Sequence, residues 1–141
     1  AHGVDINQRD KRRSAALYYA AMQKHYDLVQ FLIDHGADVN SQHLLGETIL
    51  SWAASCGDMQ LLDICLKNKA DLNLDTPLAT AAICKKKDMA QALLNAGADP
   101  NIVRGDNKTA LDFAVDNADK EMVSLLLKHG AQSARKLAPR R

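Results

Sequence analysis

The chain has 141 residues, 47% of them apolar and 25% charged, which suits one ordinary soluble domain or a short repeat array. Aromatic residues make up only 4%, so Leu, Ile, Val and Ala must supply most of the buried surface. A formal net charge of +1 disfavours a generic nucleic-acid binder, and no apolar run of about 18 residues indicates a membrane-spanning helix.

Self-comparison finds one five-residue phrase four times, and each copy ends at an asparagine. The copies end at Asn7, Asn40, Asn73 and Asn101, at separations of 33, 33 and 28 residues, so one unit lacks five residues. We therefore predict a partial unit at residues 1–7 and units at about 8–40, 41–73, 74–101 and 102–134. A basic tail at residues 135–141 follows, which we expect to be disordered.

Each unit contains two sets of apolar residues whose spacings of three and four place each set on one helical face. The first helix is rich in Ala and the second in Leu. The first set is Leu17, Ala20 and Ala21; Leu50, Ala53 and Ala54; Leu78, Ala81 and Ala82; and Leu111, Ala114 and Val115. A single unit could not bury its apolar stripe alone, so the units must stack. The pattern predicts an all-α repeat solenoid.

Threonines and glycines mark the predicted helix ends. Three threonines stand where the first helix needs an N-cap hydroxyl, and three glycines where the second helix ends in a left-handed residue. These are Thr48, Thr76 and Thr109, and Gly36, Gly97 and Gly130. Pro77 occupies a first helical position, where its missing N–H is harmless. Lys69 replaces the glycine of the second unit, at a cost of about 1 kcal/mol in a left-handed conformation.

The unit resembles the ankyrin repeat, whose motifs are Thr-Pro-Leu-His-x-Ala-Ala at the first helix and Gly-Ala-Asp-x-Asn at the turn. Residues 76–82, Thr-Pro-Leu-Ala-Thr-Ala-Ala, match best, and the resemblance covers roughly residues 3–131. The His of the motif is replaced in every unit, by Tyr18, Ser51, Ala79 and Asp112. The resemblance implies short β-hairpin fingers between units, with the third finger nearly missing. That gap is either a tolerated loop deletion or a space shaped for a partner.

The resemblance also implies that a partner binds the concave surface formed by the fingers and the first helices. The finger positions are Arg9, Lys11, Arg12 and Ser14; Gln42, Leu44, Leu45 and Glu47; and Val103, Gly105, Asp106 and Lys108. The positions near the end of the first helix are Met22, Gln23, Ser55, Cys56, Ile83, Cys84, Asp116 and Asn117. This surface is basic at the first finger, apolar in the centre and mixed at the far end.

Two leucines stand at a predicted finger tip, where polar turn residues are usual. Leu44 and Leu45, together with Met22, are therefore predicted to dominate partner binding, and Arg12 to steer an acidic partner. The alternative is that the two leucines fold under the finger and cover the first unit.

Aromatic residues recur at one position of the repeat unit, at Tyr19, Trp52 and Phe113, which we call the aromatic column. We expect them to pack between helices. The alternative is that Tyr18, Tyr19 and Trp52 form a pocket for methylated lysine.

Arg104-Gly105-Asp106 spells a short adhesion motif, which we interpret as a chance match. The run Lys85-Lys86-Lys87 either attracts an anionic partner or is a solvated turn, and we favour the turn.

No catalytic or phosphate-binding motif occurs, so we expect no enzyme activity, cofactor or metal. His35 and His129 precede the terminal glycine of a helix, where a cation complements the helix dipole. Cys56 and Cys84 occupy the same position in neighbouring units but should lie too far apart for a disulfide. Cys65 is predicted to be a core residue. Three cysteines without paired spacing indicate a reducing compartment, hence the cytoplasm, with the nucleus left open.

These observations predict a monomeric, non-catalytic scaffold or adaptor that binds a protein or peptide. We expect no small-molecule substrate, no specific nucleic acid and no transmembrane segment. Two alternatives stay open: a regulatory or targeting module of a longer enzyme, channel or effector, and a reader of methylated lysine.

Overall fold

The computed structural model describes the backbone of residues 6–138 and the side chains of residues 11–138 apart from Leu44. This part of the chain contains nine α-helices and no β-strand. The helices are α1 (Ile6–Met22), α2 (Tyr26–Asp34), α3 (Ile49–Cys56), α4 (Met59–Lys67), α5 (Pro77–Ile83), α6 (Lys87–Asn95), α7 (Ala110–Asp116), α8 (Lys120–Lys128) and α9 (Ala134–Leu137). Helices α1 to α8 form four packed pairs, and each pair stacks on the next. The predicted all-α repeat solenoid is confirmed.

Small residues allow the first helices of neighbouring units to pack closely. The alanines of the predicted first-helix sets are buried, with Ala21, Ala53, Ala54, Ala81, Ala82 and Ala114 at 0% exposure. The second helices contribute large side chains, including Leu61, Leu93 and Leu126, which are also fully buried. Each such leucine stabilises the fold by about 1.5–3 kcal/mol relative to an exposed one. The core is therefore a series of similar thin layers, as the composition predicts.

The asparagine of the repeated phrase joins each unit to the next. Its side-chain oxygen accepts a backbone N–H from the equivalent turn of the following unit. The bonded pairs are Asn40 and Asp71 at 2.7 Å, Asn73 and Asp99 at 2.9 Å, and Asn101 and Gln132 at 2.7 Å. The aspartate two residues earlier accepts the backbone N–H of the asparagine itself and fixes the turn. We call the hydrogen bond from each asparagine to the next turn an asparagine staple, because it holds two neighbouring turns together.

Both helices of every unit are followed by a residue with positive φ. After the first helix these residues are Lys24, Gly57, Lys85 and Ala118, with φ between 52° and 72°. After the second helix they are the predicted Gly36, Gly97 and Gly130, together with Lys69 at φ 57°. The left-handed conformation expected for Lys69 is therefore confirmed. Lys85 also belongs to a helix-connecting turn, in agreement with our interpretation of the lysine run.

Two of the three predicted threonine N-caps are present. The Thr48 and Thr109 hydroxyls accept the backbone N–H of Ser51 and Asp112, and each of these side chains in turn accepts a backbone N–H. The prediction for Thr76 is wrong, because its side chain caps nothing and its backbone lies at φ 46°. The cause is the shortened loop, which brings the chain into α5 through two successive left-handed residues, Asp75 and Thr76. Pro77 occupies the first turn of α5, as predicted.

The fingers and the tail differ from the expected structures. The first finger is absent, because α1 starts at Ile6 and includes Arg9, Lys11, Arg12 and Ser14. Residues 8–14 contain no Gly, Pro or Asn that would favour a turn, and helix-forming residues dominate this stretch.

The expected disorder of the tail is wrong for the residues of α9, which Ser133 caps through the N–H of Lys136. Arg140 and Arg141 lie outside the described residues.

Two of the residues that replace the motif His make hydrogen bonds to distant parts of the chain. Asp112 accepts the backbone N–H of Ala134 at 2.9 Å and that of Thr109 at 3.0 Å. The Thr109 hydroxyl donates to the carbonyl of Gln132 at 2.8 Å. In the first unit the Tyr18 hydroxyl donates to Glu47 at 2.5 Å. A carboxylate therefore links the start of α7 to the start of α9, and a phenol links α1 to the second unit.

Candidate partner-binding surface

The finger of the second unit is a tight turn with an apolar tip. The N–H of His43 donates to the carbonyl of Glu47 at 2.7 Å, and the N–H of Gly46 donates to His43 at 2.9 Å. The Gln42 side chain also donates to the Gly46 carbonyl at 2.9 Å. Leu45 lies at the tip with φ 67°, and 97% of it is exposed. Leu45 therefore does not fold under to cover the first unit; the Leu44 side chain lies outside the described residues.

The finger of the fourth unit has the same closure and a polar tip. The N–H of Arg104 donates to the carbonyl of Lys108 at 3.0 Å, which matches the His43–Glu47 bond. Its tip carries Gly105 and Asp106, where the second unit carries Leu44 and Leu45. The two turns share these closing hydrogen bonds but differ in backbone conformation, because φ is positive at Leu45 and Gly46 in the second finger and at Asn107 in the fourth. A polar tip is therefore compatible with the same closure.

An aromatic cluster lies at the base of the second finger, between the first two units. The His43 ring stacks on Tyr18, with centroids 4.6 Å apart, and meets the edge of Tyr19 at 5.6 Å. Trp52 meets Tyr18 edge-on at 6.1 Å. Burial and the hydrogen bond to Glu47 raise the pKa of Tyr18 above its ordinary value. His43 is not among the residues predicted from the sequence, and its only signal there is its place two residues before the finger tip.

The aromatic column is only partly packed between helices. Trp52 and Phe113 are half-buried and pack against the core, as predicted. The prediction is wrong for Tyr19, which is 56% exposed although its ring meets the edge of His43. Tyr18, Tyr19 and Trp52 do lie close together. Tyr18, however, is only 5% exposed and has His43 stacked on it, so these rings do not form an open cage for a methylated lysine.

The residues at the ends of the first helices are exposed to different degrees. Met22 is half-buried and packs against the core, while Gln23 beside it is exposed. Ser55 is half-buried and donates to the Trp52 carbonyl at 2.8 Å, and Cys56 is exposed. In the third unit Ile83 is 39% exposed and Cys84 is half-buried. Met22 thus offers less free apolar surface than Leu45 does.

The fourth unit gives the surface a charged end. Lys108 and Asp116 form an exposed ion pair at 2.8 Å. The Arg104 guanidinium and the Lys108 ammonium lie 5.2 and 5.5 Å from the centre of the Phe113 ring, which favours cation–π attraction. Val103 is 44% exposed, and Asp106 is exposed at the finger tip. Asn117 is directed to the neighbouring unit and donates to the Ala82 carbonyl at 3.4 Å.

The first unit presents charges on a helix instead of a finger. Lys11, Arg12 and Arg13 are exposed on α1, and Ser14 is half-buried. The Arg9 side chain lies outside the described residues. Arg13 extends towards the end of α2, because a Cβ placed on Gly36 would lie 3.2 Å from its Nη1 atom. Basic character at this end is therefore present, as expected, although its local structure differs.

The missing third finger leaves a shallow cleft between the third and fourth units. Its lining residues are Leu72, Asn73, Thr76, Leu78, Ala79, Asp99, Pro100, Ile102 and Ala110. Helix α5 forms part of the cleft floor through buried small and apolar side chains. This cleft is a gap in the row of fingers, and its lining has no ionisable residue except Asp99.

The described residues hold three thiols and scattered metal-ligating side chains. They contain no group of three or more His, Cys, Asp or Glu placed to hold a metal ion, and no helix long and apolar enough to cross a membrane. Cys56, Cys65 and Cys84 are free thiols. Burial raises the pKa of the Cys65 thiol to about 12, which agrees with its predicted place in the core.

Comparison with known proteins identifies the class. A sequence-family model described as ankyrin repeats (3 copies) matches residues 1–75, 17–104 and 50–136. The chain therefore belongs to the ankyrin-repeat family, which supports a protein–protein interaction module. Relatives include Neurogenic locus notch homolog protein 1 of Danio rerio, 35% identical over 139 residues, and the Homo sapiens protein of that name, 36% identical over 133 residues. The alignments cover 92% and 89% of this chain, but the chain spans only 6% and 5% of those relatives.

Proposed function

We propose that the chain is a non-catalytic scaffold or adaptor that binds a protein or peptide through its concave face. The observation that carries this proposal is Leu45, which is 97% exposed at φ 67°. A left-handed leucine costs roughly 1–2 kcal/mol, and an exposed side chain returns none of that cost through packing. The equivalent finger of the fourth unit has a polar tip. A partner that covers Leu45 gives this otherwise unfavourable residue a role.

The proposed surface extends over the fingers and the ends of the first helices. Its centre is Leu45, with Leu44 and Met22 as further apolar contacts. Its polar members are Arg9, Lys11, Arg12, Ser14, Gln23, Gln42, Glu47, Ser55, Cys56, Cys84, Asp106, Lys108, Asp116 and Asn117, and Ile83 and Val103 add apolar area. Met22 contributes less than Leu45, because it is half-buried in the unbound chain.

A second proposal concerns the protein to which this chain belongs. The chain aligns over most of its length with proteins of which it spans only 5–6%. This supports a regulatory or targeting module within a longer polypeptide, and it is compatible with binding through the concave face. The three free thiols favour a reducing location inside the cell, in the cytoplasm or the nucleus. We propose that the chain itself is monomeric and binds no specific nucleic acid.

The Leu45→Asn substitution tests the binding surface. Asparagine tolerates the left-handed conformation better than leucine does, so the variant should unfold at the same temperature as wild type or at a higher one. Affinity capture by wild type and variant, followed by quantitative mass spectrometry, should show a partner retained only by wild type. Leu127→Asn is the matched control, because Leu127 is 55% exposed on α8, a second helix. Equal retention of the same proteins by wild type and Leu45→Asn would refute binding through this finger tip.

A further inference from the structure

The first unit exposes a helical face where the resemblance predicts a finger. Arg12, Ala16 and Tyr19 lie on α1, and Gln23 follows it directly, at helical spacings of four, three and four. The backbone N–H of Gln23 still donates to the Tyr19 carbonyl at 3.0 Å, so Gln23 continues the helical face. All four are exposed. Residues at these spacings share one face of a helix and extend over about 16 Å. We call these four residues the α1 stripe.

An apolar anchoring point adjoins the α1 stripe. Tyr19 is 56% exposed, and its ring meets the edge of His43 at 5.6 Å. Leu45 belongs to the turn that the His43–Glu47 bond closes, and it is 97% exposed. Two of the most exposed large apolar side chains among the described residues therefore lie close to His43. A large apolar side chain of a partner could contact both of them.

Charges of both signs lie around this anchoring point, and the positive ones are on α1. Among the described side chains the ion pairs are Lys87–Glu121 and Lys108–Asp116, and neither involves Lys11 or Arg12. Glu47, the carboxylate at the base of the second finger, accepts the Tyr18 hydroxyl. Lys11 and Arg12 are exposed cations about two helical turns before Tyr19 on α1, an arrangement that complements an acidic sequence with an apolar residue.

We propose that the α1 stripe, with Lys11 and Leu45, binds an acidic segment of a partner protein through one large apolar side chain. The proposal rests on the proposed function and specifies its partner. Asp or Glu side chains of the segment pair with Lys11 and Arg12, and the apolar side chain contacts Tyr19 and Leu45. Ala16 is small, so the backbone of the segment can approach α1 closely. A continuous polyanion such as a nucleic acid fits this surface less well, because it would also meet Glu47 and the nearby Asp75, whereas a peptide can place its acidic side chains beside Lys11 and Arg12 alone.

Selection from a random peptide-display library against the full chain tests the proposal. We expect the selected peptides to carry several Asp or Glu residues around one Leu, Met or Phe. Their affinity should fall at least about tenfold in Lys11→Glu/Arg12→Glu and in Tyr19→Ser, and it should weaken as salt rises. Lys67→Glu/Lys120→Glu is the control, because it changes the net charge equally at exposed positions of α4 and α8. Circular dichroism of every variant checks that the fold is intact.

Three outcomes would overturn the acidic-segment proposal. If the peptides lose affinity in Leu45→Asn but keep it in Lys11→Glu/Arg12→Glu, the concave face binds a partner of different chemistry and the proposed function stands. If the library gives no peptide sensitive to Leu45, Lys11 or Arg12, both proposals fail at this surface. If an oligo-dT probe binds more tightly than every selected peptide and depends on Lys11 and Arg12, the stripe recognises polyanions instead.

Discussion

Asn101 accepts the backbone N–H of Gln132 at 2.7 Å, across a separation of 31 residues. Its side-chain N–H donates to the Gly130 carbonyl at 3.2 Å. One side chain therefore joins the turn of the third unit to the segment of the fourth unit that precedes α9. The same position is filled by Asn40 and Asn73 in the preceding units, and each makes the equivalent link to the next turn.

Replacing Asn101 by alanine should destabilise the chain by about 1–3 kcal/mol. The half-buried N–H of Gln132 and the Gly130 carbonyl would both lose their partner. Chemical denaturation followed by circular dichroism measures the change. Asn95→Ala is the control, because Asn95 is exposed and accepts only from Gln91 within α6, so its loss should cost less than about 0.5 kcal/mol. Equal losses for the two variants would contradict the staple role.

Asp112 should make the stability of the chain fall at acidic pH. Burial alone would raise the pKa of Asp112, but hydrogen bonds from the backbone N–H groups of Ala134 and Thr109 and from the Thr109 hydroxyl outweigh burial and lower it. A lowered folded-state pKa adds stability above the unfolded value of about 3.9, and that stability is lost as pH falls below it. Asp112→Asn should therefore be less stable at pH 7 and should lose less stability on acidification.

Thermal unfolding between about pH 7 and pH 3 measures the effect of Asp112. The matched variant is Asp106→Asn, which makes the same change in charge at an exposed finger tip without the Ala134 link. If Asp112→Asn and wild type show the same dependence of unfolding temperature on pH, the proposed contribution of this carboxylate is wrong.

Ala118→Gly should stabilise the chain. Ala118 has φ 52° in the turn between α7 and α8, a conformation that costs an alanine about 1 kcal/mol and glycine almost nothing. The expected gain is about 0.5–1 kcal/mol in the free energy of unfolding, reduced by the greater freedom of glycine in the unfolded chain. Ala92→Gly in the interior of α6 is the opposite case and should cost about 1 kcal/mol. A loss of stability in Ala118→Gly would show that the turn does not strain this residue.

The three thiols should react in the order of their exposure. Cys56 is exposed, Cys84 is half-buried, and Cys65 is fully buried with a pKa raised to about 12 by burial and by Asp58. Since the thiolate is the reactive form, Cys65 should react with a thiol reagent only after unfolding. Mass spectrometry of peptides after timed alkylation measures the three rates. Fast labelling of Cys65 in the folded chain would contradict its place in the core.

The helical layers and most helix ends could be predicted because the Ala and Leu columns repeat with the period of the fold. Local deviations could not. Thr76 was predicted to be an N-cap because it occupies the same position of the repeat as Thr48 and Thr109, but the shortened loop changes the backbone before α5. Tyr19 was predicted to be packed from its place in the repeat, but it is 56% exposed, because burial depends on the neighbouring segments as well as on the position in the repeat. The asparagine column was found without its role, because a hydrogen bond to the next unit depends on how the units stack.

The staples also determine how the chain would carry mechanical tension. Each asparagine bond joins a unit only to its immediate neighbour, so a force applied along the stack passes through the links in series. In such an arrangement the weakest unit sets the strength of the whole. The third unit lacks a side-chain N-cap on α5 and contains the adjoining left-handed residues Asp75 and Thr76. Rupture under load should begin there, at the position where the finger is missing.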